Sequence, residues 1–426
     1  MKKTPPNDMV YADAASVGMR YDRLSAIGDR IKEKYIDTGK FAGSHLLVAR
    51  SGKIVYDHVQ GYADKETKQL LQADSLYRIF SMTKPIVAVA LMQLYEQGLF
   101  SLHDPILLYL PEFSEQTVWV AGQYPYMQTQ PARSSITIEQ LLTHTSGLSY
   151  DFWRLSYVDE AYRRLFNSVG NMNPLAASQE VENMRYITMS LAKWTTVLAR
   201  LPLQFHPGER YLYSLGIDVC GRLIEVLSGM ALGAYLQKYV FHPLGMHDTG
   251  FFVPEHHLPR LTQLYHKTSD KLLHIVDKKG KDSVWGQQRP FESGGGGLVS
   301  SMYDYYRFAT MQLDQGQAAG GSVLAKKTHQ RMVCNHFANH ANAYELGYEG
   351  LVVPADRYLG YGLGLGCFYG PDGRVQRFGW GGAASTNYWV DPNEELVVVS
   401  MQQLMPSGAY PIRDEILQMV YGSVLD

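Results

Sequence analysis

The chain has 426 residues, which is long enough for two or three lobes or for one large enzyme fold. Its content of 46% hydrophobic and 19% charged residues is ordinary for a globular protein, so we expect a sizeable core. The formal net charge of -2 provides neither the basic surface that nucleic acid requires nor the polybasic strip that an acidic membrane attracts.

Cysteine content and the N-terminus point to a reducing compartment. The three cysteines are too few and too widely spaced for a disulfide framework or a metal pattern: Cys220, Cys334 and Cys367. The first eight residues include basic side chains but no apolar stretch follows them, and no apolar run reaches the ~18 residues that a membrane span needs. We therefore expect a cytoplasmic protein without a signal peptide.

The N-terminal part of the chain predicts a helix and then a hairpin. Apolar residues recur at helical spacing over residues 22–35, which indicates an amphipathic helix. Two β-rich segments, 44–50 and 53–59, flank a Ser-Gly pair, and this pattern is typical of a β-hairpin.

A serine and a lysine stand three residues apart at Ser81 and Lys84, just before the apolar run 86–94. Residues three apart share a helix face, so Lys84 could accept the proton of Ser81. Pro85 belongs in the first turn of a helix, which places Ser81 at a helix N-terminus. There the helix dipole opposes protonation of Lys84 and favours an oxyanion at Ser81. The segment predicts a nucleophile mounted on a buried helix.

The same S-x-x-K pattern occurs again at Ser190 and Lys193. A chain of this length contains about one or two such matches by chance, so the pattern alone identifies no site. The second copy lies within residues 181–201, a stretch without Pro, Gly or a helix start signal, and we expect both of its side chains along an ordinary helix. Ser81 is therefore the better candidate for a nucleophile.

The middle of the chain predicts one long connection and then mostly helices. Residues 114–135 carry aromatic side chains and no clear secondary structure, which in a connection of this length indicates a functional loop. A short helix is predicted over 137–142. An aromatic stretch follows it, and the chain then reads mostly helical to about residue 236.

Beyond residue 290 the pattern changes. A glycine-rich loop, 293–300, precedes a helix predicted over 303–313, and a closing helix is predicted over 412–420. Four strand-like runs lie between the two helices, at 361–369, 375–378, 387–390 and 396–401.

Strands thus lie at both ends of the chain and helices lie between them. The sequence predicts an α+β fold, in which an antiparallel sheet from both termini is flanked by helices and carries an inserted, mostly helical lobe. We expect the sheet domain to comprise residues 20–75 plus 290–426, and the inserted domain to comprise residues 76–289.

Two further segments carry groups that a serine nucleophile needs, namely a base and oxyanion donors. Tyr213 could shuttle a proton beside Lys84, because a nearby positive charge lowers the pKa of a phenol. Packing is the alternative role for any one of 30 tyrosines. The glycine-rich segment 378–385 leaves backbone N–H groups free, and one of them could form an oxyanion hole with the N–H of Ser81.

Together these segments resemble the three active-site boxes of the serine β-lactamase and penicillin-binding-protein superfamily. The boxes are Ser81-Met82-Thr83-Lys84, Tyr213-Ser214-Leu215 and Trp380-Gly381-Gly382. The likeness covers about residues 20–420 and is closest to the class C β-lactamase-like esterases, or family VIII carboxylesterases. It implies a β-lactamase-like fold and an acyl-enzyme on Ser81. Lys84 and Tyr213 would share the general-base role in either order, and the N–H groups of Ser81 and Ala383 would hold the oxyanion.

The chain departs from the penicillin-recognising members at two positions. Leu215 stands where they carry an asparagine, and Trp380 stands where they carry a lysine. The groups that would hold the amide and carboxylate of a β-lactam are therefore missing, and an aromatic suits uncharged, apolar esters. The expected substrate-binding residues are Trp380, Gly381, Gly382 and Leu215, with Tyr126 and Trp153 as walls of an acyl pocket.

We predict a serine carboxylesterase that cleaves esters of short to medium acyl chains. It would act on a small-molecule ester, with no cofactor, nucleic acid or membrane partner. Three alternatives stay open: an acyltransferase or transesterase on the same site, a weak β-lactamase or D-amino-acid peptidase, and a catalytically silent relative. No G-x-S-x-G elbow occurs, which argues against an α/β-hydrolase. A metal site could be built from three nearby residues, Cys334, His336 and His340, but no Glu completes a zincin pattern.

Overall fold

The computed structural model describes residues 6–154, 156–169, 189–268, 273–337, 359–370 and 372–425. The helices are α1 (Tyr21–Ile31), α2 (Thr83–Glu96), α3 (Ile138–Leu142), α4 (Tyr157–Val169), α5 (Leu191–Leu198), α6 (Gly216–Ser228), α7 (Leu232–Leu236), α8 (His242–Leu244), α9 (Met302–Leu313), α10 (Lys326–Met332) and α11 (Ile412–Tyr421). The first eight strands are β1 (Gly43–Arg50), β2 (Lys53–Asp64), β3 (Gln69–Leu70), β4 (Leu76–Arg78), β5 (Thr117–Ala121), β6 (Gln128–Pro131), β7 (Leu264–Lys267) and β8 (Leu273–Asp277). The others are β9 (Val299–Ser301), β10 (Gln317–Ala318), β11 (Gly321–Ser322), β12 (Leu359–Tyr361), β13 (Gly366–Tyr369), β14 (Val375–Gly381), β15 (Asn387–Asp391), β16 (Leu396–Met401) and β17 (Leu404–Met405).

An eight-stranded sheet unites the two ends of the chain. Its strand order is β12-β13-β14-β15-β16-β1-β2-β3, and every neighbouring pair is antiparallel. Strand β1 makes the connection, because it pairs with β16 on one side, with His45 opposite Met401, and with β2 on the other. The predicted antiparallel sheet from both termini is confirmed.

The N-terminal hairpin follows from its turn residues. Ser51 and Gly52, between β1 and β2, have φ angles of 51° and 72°. Two successive left-handed residues make the turn whose twist matches that of the flanking strands. Upstream, α1 continues as a π-helical turn, Lys32–Ile36, so the helix predicted over 22–35 is confirmed as well.

Helix α2 carries apolar residues on all of its faces because the rest of the protein surrounds it on every side. Every residue from Thr83 to Met92 is buried, and Pro85 lies in the first turn, where its missing N–H costs nothing. The turn between β12 and β13 presses on this helix: Gly364 has a φ of 81°, and a Cβ there would lie 2.4 Å from the Cβ of Ala88. The sheet and α2 therefore share one core.

Two predicted segments differ from the structure. The connection 114–135 contains a hairpin of β5 and β6, with Thr117 opposite Pro131. Strand β6 is exposed and polar, and β5 is a short, partly buried apolar run, so neither strand shows the alternation that marks a half-buried strand. The run 361–369 is two strands and not one, because the chain reverses between β12 and β13 at the left-handed Gly364.

The helical middle of the chain also contains strands. Strands β7 and β8 join β17 in a three-stranded sheet, and β4 pairs with β9. The predicted helix over 181–201 lies partly outside the described residues. Within them, the expectation of one continuous helix is wrong: Ser190 is exposed and caps the N-terminus of α5 with its hydroxyl, so it is itself a helix start signal, and only Lys193 lies in the helix. The described part of the chain has no single helix long and apolar enough to cross a membrane; by length and composition, only the bent pair Gly216–Ser228 and Leu232–Leu244, at 76°, would qualify.

Candidate active site

Ser81 lies in a single 3₁₀ turn, Phe80–Met82, between β4 and α2. The strand before it is fixed by the fully buried ion pair of Arg78 and Asp277, to which the Ser283 hydroxyl adds a hydrogen bond of 2.5 Å. Buried charges of this kind are retained only when both partners and their remaining polar atoms are satisfied. The ion pair therefore holds the start of the turn in place.

Phe80 enters the turn in a strained conformation. Its φ of 44° lies in the left-handed region, which a bulky side chain adopts only when its surroundings enforce it. Its side chain is fully buried and packs edge-on against Trp285, with ring centroids 5.6 Å apart. The packing of Phe80 thus fixes the direction in which the next residue, Ser81, presents its hydroxyl to the cavity.

Lys84 lies one turn along, with its side chain fully buried. Its Nζ is 3.3 Å from Ser81 Oγ, 2.9 Å from the Tyr150 hydroxyl and 2.6 Å from the Gly295 carbonyl oxygen. These three oxygen atoms are enough for the three N–H donors of an ammonium group. The structure therefore brings Ser81 and Lys84 into hydrogen-bond contact and adds Tyr150 to them.

Tyr213 meets Lys84 through the face of its ring. Lys84 Nζ lies 4.6 Å from the ring centroid, within the range of a cation–π contact. The Tyr213 hydroxyl accepts a hydrogen bond of 3.2 Å from Trp380 Nε1, and its carbonyl accepts one of 2.8 Å from Trp153 Nε1. Two tryptophans thus fix the position of this tyrosine beside the lysine.

His144 packs against Tyr213 and bonds to the next residue, Ser214. Its ring is fully buried and lies 4.6 Å from the Tyr213 ring, and its Nδ1 accepts the backbone N–H of Ser214 at 3.1 Å. Burial, together with the nearby charge of Lys84, lowers the pKa of His144 well below its usual value. His144 is therefore a neutral packing residue.

The end of β14 packs against the turn that precedes Ser81. Gly382 packs so closely on the turn before Ser81 that a Cβ there would lie 2.3 Å from the Ile79 carbonyl oxygen. Arg413 of α11 fixes the segment 382–386 after β14, since its Nη2 donates to the Gly382 carbonyl and, at 2.7 Å, to the Thr386 carbonyl. Ala383, the next residue, consequently faces the cavity beside Ser81.

A cavity of about 570 Å³ opens above Ser81. Seven of the predicted site residues line it: Ser81, Trp153, Tyr213, Trp380, Gly381, Gly382 and Ala383. Phe152, Phe368 and Tyr388 add further aromatic surface. Most of the lining is apolar and aromatic, and the charged side chains of Arg377, Arg413 and Asp414 complete it, which is the composition typical of a small-molecule site.

Two predicted substrate-binding residues lie elsewhere. Tyr126 is 85% exposed and lies in the loop that joins β5 to β6, and it does not line the cavity because this loop faces solvent. Leu215 is 7% exposed and packs in the core at the start of α6, with its N–H bonded to the Ser149 carbonyl. Neither side chain lines the cavity.

Sequence reasoning missed two features of the site. One is Tyr150, because no local sequence pattern marks it as a partner of Lys84, 66 positions earlier. Arg377 and Arg413 line the cavity although the third box lacks its cation. Burial lowers the pKa of Arg413 to about 10, and its position at the start of α11 offered no signal in the sequence.

Cys334 and His336 do not belong to a metal centre within the described residues. No group of three or more His, Cys, Asp or Glu side chains is arranged there to hold an ion. Cys334 Sγ lies 3.4 Å from His336 Nε2, whose ring also bonds to Glu139, and His340 lies outside the described residues.

Comparison with known proteins yields one family and several relatives. A family model described as Beta-lactamase matches residues 29–422. Protein Rv1367c of Mycobacterium tuberculosis is 32% identical over 382 residues, which are 87% of this chain and 88% of that protein. Esterase EstB of Burkholderia gladioli is 33% identical over 308 residues, 69% of this chain and 70% of EstB.

The fold is also found among solved structures. The structure of "EstCE1, a hydrolase with promiscuous acyltransferase activity" superposes with a TM-score of 0.75 at 24% identity. The match covers 94% of this chain and 99% of EstCE1.

Proposed function

The chain belongs to the β-lactamase family, and from this premise we propose that it is a serine carboxylesterase that forms an acyl-enzyme on Ser81. The observation that carries the proposal is the contact of 3.3 Å between Lys84 Nζ and Ser81 Oγ at the base of an aromatic cavity. The esterase activity named for EstB, at 33% identity, supports the same chemistry.

In the proposed reaction Ser81 Oγ attacks the ester carbonyl carbon, and its proton passes to the group formed by Lys84, Tyr150 and Tyr213. The N–H groups of Ser81 and Ala383 stabilise the oxyanion, each worth about 3 to 4 kcal/mol in such sites. The C–O bond then breaks, and the leaving alcohol takes the proton. Water adds to the acyl-enzyme by the same steps, which releases the acid and restores the Ser81 hydroxyl.

Esters suit this cavity better than β-lactams. Trp380 presents an indole where a penicillin-recognising relative presents an ammonium group, and its N–H is already engaged by the Tyr213 hydroxyl. Leu215 lies in the core, so the second box offers the substrate no side-chain amide. An acyl chain of short to medium length can pack on the aromatic lining without leaving a polar group unpaired.

Labelling of the nucleophile tests the proposal. We expect a fluorophosphonate to add once to the protein, and peptide mapping by mass spectrometry to place it on Ser81. Ser81→Ala should abolish both labelling and hydrolysis of p-nitrophenyl butyrate, and Lys84→Ala should lower kcat/KM at least ~10²-fold. Ser190→Ala is the matched control, because this exposed serine belongs to the second S-x-x-K copy. Labelling at Ser190, or an active Ser81→Ala, would refute the assignment.

Acyl transfer is the second candidate function. It is favoured by the open cavity above Ser81, which has room for an alcohol beside a short acyl group, and by the promiscuous acyltransferase activity of EstCE1, which shares the fold. The assay is p-nitrophenyl butyrate turnover with and without added 1-butanol, with products separated by chromatography. Transfer predicts that butyl butyrate forms in competition with butyric acid, whereas a pure hydrolase yields the acid alone.

A further inference from the structure

Asp218 is a buried carboxylate that the proposed reaction does not use. It lies in the first turn of α6, five positions after Tyr213, and is 1% exposed. Its Oδ1 accepts two hydrogen bonds, from Ser293 Oγ at 2.6 Å and from the Gly295 N–H at 3.0 Å. A carboxylate that has lost its water needs such donors and a compensating charge.

Gly295 connects this carboxylate to the active site. Its N–H donates to Asp218, and its carbonyl accepts from Lys84 Nζ at 2.6 Å. The three groups are closely packed, since a Cβ at Gly295 would lie 2.3 Å from Asp218 Oδ2 and 3.1 Å from the Tyr150 hydroxyl. A single glycine therefore joins a negative group to the candidate base, with no space for a side chain between them.

The charges around the pair are consistent with an electrostatic link. Burial raises the pKa of Asp218 above its ordinary value, and the Lys84 charge and the two hydrogen bonds offset only part of this rise. Burial also keeps His144 neutral and Cys220 a thiol, and it raises the pKa of Asp151 to about 6. The titratable groups facing the two partners are Tyr150, Tyr213 and His144 around Lys84, and Asp151 and Cys220 around Asp218.

We propose that Asp218 is a positioning residue for the reaction, which acts through Gly295 to hold Lys84 in place and to balance its charge. This inference rests on the proposed function and deepens it. An amide at position 218 could still accept the hydrogen bonds from Ser293 and Gly295, but it would carry no charge. Asp218→Asn therefore separates the charge of the side chain from its hydrogen bonds.

The charge has a defined effect on the pH profile. Removal of a nearby negative charge makes a proton on Lys84 or on either tyrosine easier to lose. The acid limb of kcat/KM reports the deprotonation of the base in the free enzyme. That limb must move to lower pH in Asp218→Asn, whichever of Lys84 and the tyrosines is the base.

The experiment compares kcat/KM for p-nitrophenyl butyrate from pH 5 to pH 10 in the wild type and in Asp218→Asn. We expect the acid limb to move down by about one pH unit, with KM nearly unchanged. The matched control is Asp304→Asn, which neutralises a buried carboxylate of α9 bonded to Thr249 and the Asp248 N–H. Its acid limb should not move.

An unmoved limb in an active Asp218→Asn variant overturns the inference. If this variant does not fold, Asp218→Ser carries the same test, because it also lacks the charge and leaves room for water. The failure of the proposed function looks different: the wild type would then take up no fluorophosphonate at Ser81. A purely structural role of Asp218 would lower the melting temperature and leave the limb in place.

Discussion

Lys84 lies among three oxygen atoms, and only two of them can exchange a proton with it. The Gly295 carbonyl can only accept, so it holds one N–H throughout the reaction. The hydroxyls of Ser81 and Tyr150 can both donate and accept. When Lys84 is neutral, its lone pair must therefore face one of these two hydroxyls. Tyr150 can therefore take part in the proton transfer through its hydroxyl, whereas Tyr213 contacts Lys84 through the face of its ring.

This arrangement gives a prediction for Tyr150. Tyr150→Phe removes a hydrogen bond to a charged group, worth about 1.5 to 3 kcal/mol, so we expect kcat/KM to fall about 10- to 100-fold while the protein stays folded. Initial rates with p-nitrophenyl butyrate, together with a thermal melt, measure both quantities. Tyr126→Phe is the control, since its side chain is 85% exposed and lies outside the cavity. Equal rates in the two variants would exclude Tyr150 from the reaction.

At the level of elements, the sequence predicted best what a short-range pattern decides. The Ser51-Gly52 turn and the apolar run of α2 specify their structures within a few residues, and both were found as predicted. The pairing of Ser81 with Lys84 belongs here too, because i and i+3 spacing at a helix start brings the two side chains together whatever the rest of the chain does.

Contacts between distant elements could not be predicted in this way. Tyr150 reaches Lys84 from the segment after α3, and the Tyr213 hydroxyl is directed by Trp380 of β14, 167 positions later. The exposed polar strand β6 and the short apolar strand β5 both lack the alternation by which a half-buried strand is recognised. The positions of Tyr150 and Tyr213 in the site therefore depend on tertiary packing, which no local pattern encodes.

At the scale of the whole molecule, His336 links helix α3 to the sheet, since its backbone N–H donates to the Tyr361 carbonyl of β12 at 2.9 Å. His336, between α10 and the edge strand β12, donates through Nδ1 to Glu139 of α3 at 2.6 Å and through Nε2 to the Arg331 carbonyl at 2.7 Å. Burial alone would lower the pKa of His336, but the hydrogen bonds to Cys334, Glu139 and that carbonyl outweigh it and raise the pKa to about 10. The same hydrogen bond lowers the pKa of Glu139.

The hydrogen bonds of His336 predict that the stability of the protein depends on pH. The folded protein binds the His336 proton more tightly than the unfolded chain, whose pKa is about 6.5, so its stabilisation is complete below pH ~6.5 and is lost as the pH rises towards 10. The stabilisation that comes from the lowered pKa of Glu139 is present above the unfolded pKa of about 4.5 and is lost as the pH falls below it. The wild type should therefore melt above His336→Asn by the widest margin near pH 5 to 6.5, and the margin should shrink towards pH 10. Thermal denaturation from pH 5 to pH 10 measures this difference in melting temperature. The control is His256→Asn, because His256 is exposed. A difference that stays constant with pH would mean that His336 is not held as an imidazolium.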